Sequence, residues 1–196
     1  MNFFQAIILG IVQALTEYLP VSSSAHIRII GDLMLGADPG AAFTAIIQIG
    51  TELAVILYFR RDIINILSHW FGCLFGKNGP DWRARMGRGD KYATLGWNVI
   101  VGSIPIIILG FTLQNIIETS LRNLWITVTV LFLFGLLLWI VDARSRQIKT
   151  MEDMNYRDAF LFGLGQSMAL IPGVSRSGGT ITVAVRWDTR ANRPSA

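Results

Sequence analysis

The sequence predicts an all-α integral membrane protein, a helical bundle built on two copies of a broken-helix hairpin, the second copy incomplete. Three observations carry this expectation. The 196 residues are 52% hydrophobic and only 15% charged, too apolar a balance for an average soluble domain. Apolar runs of spanning length recur along the chain. An apolar helix broken by proline and restarted by serine, a costly device in lipid, occurs twice.

The first hairpin is expected over residues 3–35. Phe3 to Val12 is apolar, and Ile27 to Leu35 is apolar again, but between them lie Gln13, Glu17, Pro20, Ser22, Ser23, Ser24 and His26. Pro20 cannot continue a helix and disfavours helix at Leu19, whereas serine is a preferred N-cap. The pattern is therefore helix, break, helix. The restarted helix would aim unpaired amides and the positive end of its dipole into the space that the break opens, which makes an anion site. A plain capped loop is the other reading of the three serines. Phe3 to Leu15 is shorter than the roughly 20 residues that a span needs and lacks the basic start and cleavage site of a signal peptide.

Three spans follow, over about residues 41–59, 95–117 and 124–141. The first carries Gln48 and Glu52 one helical turn apart, either bonding to another helix or lining a site. After it come Arg60 and Arg61, an apolar patch with Trp70 and Phe71, and a loop with Lys77, Arg83, Arg85, Arg88 and Lys91. This basic loop should be cytoplasmic. The second span contains Pro105, tolerable in a bundle. The third carries Trp125 and Trp139 near its ends as interfacial anchors and is followed by Arg144, Arg146 and Lys149. The basic flanks put the amino end of the first span outside.

The second hairpin is expected over residues 158–185. Residues 163–177 align without a gap on residues 10–24, with Gly163 on Gly10, Gln166 on Gln13, Ser175 on Ser22 and Ser177 on Ser24. The prolines fall one position apart. Paired broken segments in the two halves of a membrane protein point to a central binding site. The copies differ chemically: Ser23 faces Arg176, and Glu17 faces Leu170, so one half reads as nucleophilic and the other as cationic. Residues 1–185 thus read as a single membrane domain and residues 186–196 as an aberrant polar tail. The single Cys73 excludes an internal disulfide or a multi-cysteine metal site. The net charge of +4 is no nucleic-acid signal, because the basic residues flank apolar runs.

Gln13-xxx-Glu17, the run from Leu19 to His26, and the run from Pro172 to Thr180 resemble the signature segments of the bacterial undecaprenyl-diphosphatase family, the bacitracin-resistance membrane phosphatases. The likeness runs in order from residue 1 to about 185. It implies removal of the terminal phosphate of undecaprenyl diphosphate at the outer face of the bacterial inner membrane, recycling the carrier lipid for peptidoglycan and other wall polymers. It also implies an inverted repeat with re-entrant hairpins, activity supported by a divalent cation, Mg2+ or Ca2+, and as partners the lipid substrate, the bilayer and a homodimer mate. By resemblance Gln13 and Glu17 fill the Glu/Gln-xxx-Glu motif, with a metal between them, and Glu17, Ser23, His26 and Arg176 are catalytic. The expected substrate-binding set is Gln13, Ser22, Ser24, Gln48, Ser175, Ser177 and Thr180. In this family the second signature leads to a Leu-Gly-Tyr-like turn. The codons of Trp187, Asp188 and Thr189 read one nucleotide earlier begin to spell that turn, so the tail is expected to be a frameshift product, the 196-residue form unstable or inactive, and its extended parent active.

The residue chemistry agrees. A diphosphate monoester must have its charge neutralised while a nucleophile attacks in line. Arg176, bidentate and always charged, supplies the cradle with the amides after Ser22 and Ser175. Two routes remain: Ser23 attacks while Glu17 or His26 takes its proton, or Glu17 holds a metal whose water attacks. His26 reads as functional or as a satisfied structural histidine; the only other histidine is His69. A transporter or lipid flippase on the same repeat is the rival function. The acid-phosphatase-like membrane enzymes share only a Ser-Arg pair and need a later histidine, which this chain lacks.

Overall fold

The computed structural model describes residues 1–118, 123–143 and 154–191. Among them the chain is helical throughout, with no strand. Helix α1, Phe3–Thr16, opens with a reciprocal capping box between Asn2 and Gln5. It stops before Pro20, and α2, Ser23–Leu35, restarts after a turn and ends at Gly36 in the left-handed region. Ser22 does not restart this helix in the expected way. Its side chain makes no capping bond; the carbonyl alone accepts from the His26 amide. With φ of +64°, Ser22 is the one non-glycine residue with positive φ among those described, which turns its hydroxyl toward Ser24 instead.

Helix α3, Ala41–Tyr58, is followed at once by α4, Arg60–Leu74. The sequence showed only an apolar patch where α4 lies. Its helix is amphipathic, burying Cys73 and packing Trp70 on Gly96 and against the Trp97 ring, with ring centroids 5.3 Å apart. After the short α5, Trp82–Arg85, comes α6, Lys91–Thr112. It starts a turn before the expected Leu95, because Asp90 accepts from the Ala93 amide and caps it there. Pro105 is carried inside the helix, and the chain breaks only at Leu113 before α7, Gln114–Glu118. Helix α8, Leu124–Asp142, completes a set of three helices, with α3 and α6, that are long and apolar enough to cross a membrane. The basic cluster expected after α8 lies outside the described residues.

The second hairpin begins two residues before its expected start with α9, Tyr156–Ser167, opened by a capping box between Asn155 and Asp158. A 3-10 turn, Met168–Leu170, leads through Pro172 into α10, Arg176–Ala191. Backbone helix therefore crosses the expected boundary between hairpin and polar tail at residue 185. Nothing from Arg186 to Ala191 is a helix breaker, the first proline being Pro194. Residues 192–196 lie outside the described residues.

Glycine contacts hold the second hairpin in the bundle. A Cβ on Gly163 of α9 would strike the Gly102 carbonyl oxygen of α6, and one on Gly179 of α10 would strike that of Gly165. The helices thus approach backbone to backbone, as small residues allow in membranes. Gly173, with φ of +103°, lies against the start of α8, where a Cβ would sit 3.0 Å from the Leu131 amide. Helix α8 touches both α10 and α2, so it is a neighbour of both hairpins, and α1 packs against α3.

At the loop end of α4 and α6, His69 Nδ1 lies 2.8 Å from Asp90 Oδ2 and Asn78 donates to Cys73 Sγ at 3.1 Å. Burial tends to raise the Asp90 pKa, but hydrogen bonds from His69 and the Ala93 amide outweigh it and hold the carboxyl below its usual range. Burial, reinforced by the Asp90 charge, pushes the Cys73 thiol up.

Candidate active site

The polar break of the first hairpin converges on one carboxylate oxygen. Glu17, the residue closing α1, is half-buried, and its Oε2 accepts from Gln13 Nε2 at 2.8 Å and from Ser23 Oγ at 2.6 Å. Gln13 sits one helical turn earlier, 1% exposed, and its Oε1 is buried with no hydrogen-bond partner among the described residues. Ser23 opens α2 across the turn. The Pro20 break therefore brings the end of one helix and the start of the next to a single acid.

The second hairpin supplies the positive charge. Arg176 is the first residue of α10 and stands exposed in a cleft of about 600 Å³, whose lining includes Glu17, Tyr18, Thr51, Glu52, Gln166, Ser177 and Thr180. Ser177 Oγ donates to the Leu19 carbonyl at 3.2 Å, a direct bond between the hairpins. Helix α3 forms the third wall. Tyr18 donates its hydroxyl to the Thr51 carbonyl at 2.7 Å, and Gln48 Nε2 donates to Glu52 Oε1 at 3.0 Å.

A family model for the bacitracin resistance protein BacA matches residues 6–194. The chain belongs to the BacA family. This BacA-family chain is 88% identical over 183 residues to an undecaprenyl-diphosphatase of Bifidobacterium longum subsp. infantis. It is 71% identical over 182 residues to one of Bifidobacterium adolescentis and 52% over 189 to one of Paenarthrobacter aurescens. These matches cover 93–94% of this chain but only 62–64% of the relatives.

Within this member of the BacA family the expected site residues divide. Glu17, Arg176, Ser177 and Thr180 line the cleft, and Gln13 and Ser23 touch it through Glu17. Ser24 does not reach it; it lines a separate small cavity with Arg28, Asp38 and Thr127. Ser22 and Ser175 are buried, 2% and 5% exposed, and each lies beside the second serine of its own motif, Ser24 at 3.2 Å and Ser177 at 3.0 Å. Ser175 Oγ also accepts from the Gly178 amide, the capping bond that Ser22 fails to make. Gln48 is outside the cleft lining and bonds within its own helix, a geometry that the sequence reading had not considered. His26 is half-buried; its Nδ1 lies 2.9 Å from the Ser22 carbonyl, which can only accept, so Nδ1 is the donor. Tyr18, Thr51 and Gln166 also line the cleft with no role expected of them there, and Glu52 lines it too, one of the two readings the sequence left open for it. For Gln166 a signal existed, its pairing with Gln13 in the repeat; for Glu52 the signal was its place one turn after Gln48.

Proposed function

We propose that the cleft hydrolyses undecaprenyl diphosphate to undecaprenyl phosphate and phosphate, recycling the carrier lipid of cell-wall synthesis. The observation that carries this is a carboxylate hydrogen-bonded to a serine hydroxyl in the same cleft as an unburied arginine. Arg176 grips the terminal phosphate. Ser23 Oγ attacks its phosphorus as the bridging oxygen leaves on the lipid monophosphate, and the hydroxyl proton passes along the 2.6 Å bond to Glu17. Glu17 hands that proton to the departing phosphate oxygen. As a carboxylate again it takes a proton from water, which attacks the phosphoserine, and returns it to Ser23 Oγ as the Oγ–phosphorus bond breaks and phosphate leaves. The 2.6 Å contact favours Glu17 over His26 as base. His26, bonded to the Ser22 carbonyl, braces the turn.

The residues also fit a hard divalent cation, Mg2+ or Ca2+. Two carboxylates, Glu17 and Glu52, line one cleft, and Gln13 Oε1 is a buried acceptor with no donor among the described residues. No group of three or more His, Cys, Asp or Glu suited to a metal occurs among the described residues, so substrate phosphate oxygens and water would complete the shell, the usual habit of Mg2+. When bound, such an ion supplies charge neutralisation on the diphosphate. The basic loop between Lys77 and Lys91 supports a cytoplasmic loop and a site facing outward from the bacterial inner membrane.

Phosphate release from undecaprenyl diphosphate by detergent-solubilised protein tests the reading. A carrier would release none, and an extended parent of this chain that binds the substrate and leaves it intact would overturn the assignment.

A further inference from the structure

The cleft changes chemistry along its length. Glu17, Arg176, Ser177 and Thr180 make one part polar, whereas Val55 and Ile56 of α3 make another aliphatic. Glu52, Val55 and Ile56 are spaced i, i+3, i+4 and share one face of α3, so carboxylate gives way to hydrocarbon within one helical turn. The register of that change is fixed locally: Thr51, next to Glu52, accepts the hydroxyl of Tyr18, which lines the same cleft from the first hairpin. Ile56 is 51% exposed and is continued by Leu53 and Leu57, also exposed, on a helix long and apolar enough to cross a membrane. The aliphatic part of the cleft therefore opens onto the apolar surface of α3.

We propose that Val55 and Ile56 form the subsite for the first isoprene units of the substrate, with Tyr18 as the facing wall, and that this pair sets the preference for prenyl diphosphates over tail-less ones. The proposal rests on the diphosphatase reading of the polar residues. The occupant follows from continuity: a molecule whose diphosphate lies between Glu17 and Arg176 must carry its next atoms past α3, and only an apolar chain matches what α3 offers there. The aliphatic part of the cleft opens onto the exposed apolar face of α3, so the distal tail continues into lipid. Chain length beyond the first few units should therefore matter little. Because lipid is as apolar as the subsite, the gain comes from packing and register and not from leaving water, so its size is modest.

The test compares wild-type protein with Val55→Ala, Ile56→Ala and Ile56→Asn in detergent, on farnesyl diphosphate, undecaprenyl diphosphate and methyl diphosphate. The alanine variants should raise KM for both prenyl substrates by about three- to tenfold with kcat kept, the scale of one lost packing contact. Ile56→Asn should raise it more. Methyl diphosphate hydrolysis should be unchanged in all three, which also reports that the variants fold. Equal changes on every substrate, or no change on any, would overturn the subsite. Wild-type turnover of methyl diphosphate as efficient as that of farnesyl diphosphate would do the same while leaving the diphosphatase reading standing. Wild-type inactivity on all three would remove both.

Discussion

Two donors share one oxygen of Glu17, and that arrangement sets what single substitutions should do. Ser23→Ala removes the proposed nucleophile and Glu17→Gln the proposed base, so each should cut phosphate release by about 10²-fold or more. Arg176→Ala should cost about 10²–10³-fold, the range for one lost anion-stabilising donor, and Arg176→Lys should recover only part because the fork is gone. Steady-state phosphate assays check all four; turnover by Ser23→Ala near the wild-type rate would point to attack by water. Ser22 makes a different prediction. A β-branched residue tolerates its positive φ poorly, so Ser22→Val should lower stability by about 1–2 kcal/mol in chemical denaturation, whereas Ser22→Gly should not. The polar residues of the first break and Arg176 were legible in the sequence, since charge and hydroxyls inside apolar runs stand out. Glu52 was legible only as a polar residue in a span. Whether it faces the cleft depends on the rotation of α3, which the Tyr18–Thr51 bond fixes and no local pattern records.

Helix by helix, the packing that positions Arg176 is glycine-dependent. Gly163→Ala should force α9 off α6, because the added methyl meets main chain and not a movable side chain. A loss of about 1–3 kcal/mol is expected, visible as a lowered Tm in detergent. The Asp90 cap adds a pH dependence. Its carboxyl is held below the ordinary value of 3.8 in the folded protein, so its contribution is fully present above that pH and is lost as pH falls through the lower folded value. Asp90→Ala should cost about 1 kcal/mol near neutrality, and thermal melts should show the gap to wild type closing only below pH 3.8. Helix starts proved harder to read than helix existence. The α6 start depends on a cap at Asp90, five residues ahead of the apolar run, and α4 is amphipathic enough for its charged face to hide it. The breaks at Pro20 and Pro172 were plain because proline acts locally, whatever packs around it.

At the scale of the molecule, orientation is the property most open to measurement. Cysteines introduced between residues 77 and 91 should react only with reagents that reach the cytoplasm, and labelling from outside intact cells would invert the proposed topology. The background should be low, because the native Cys73 is 2% exposed and its thiol pKa is raised by burial. The all-helical membrane fold was legible from composition and the doubled proline-serine break. The meeting of both breaks with α3 at one cleft was not, because contacts between distant segments leave no periodic trace in sequence.

The bond from Ser177 to the Leu19 carbonyl spans 158 positions of sequence. At about 5–20 residues per second, the ribosome delivers the second hairpin roughly 8–30 s after the first. During that interval the acidic half must wait in the bilayer without its arginine. It can, since Gln13 and Ser23 already satisfy Glu17 from within the first hairpin. Biosynthesis thus delivers a chemically idle acidic half-site, which gains its cation only when α10 emerges.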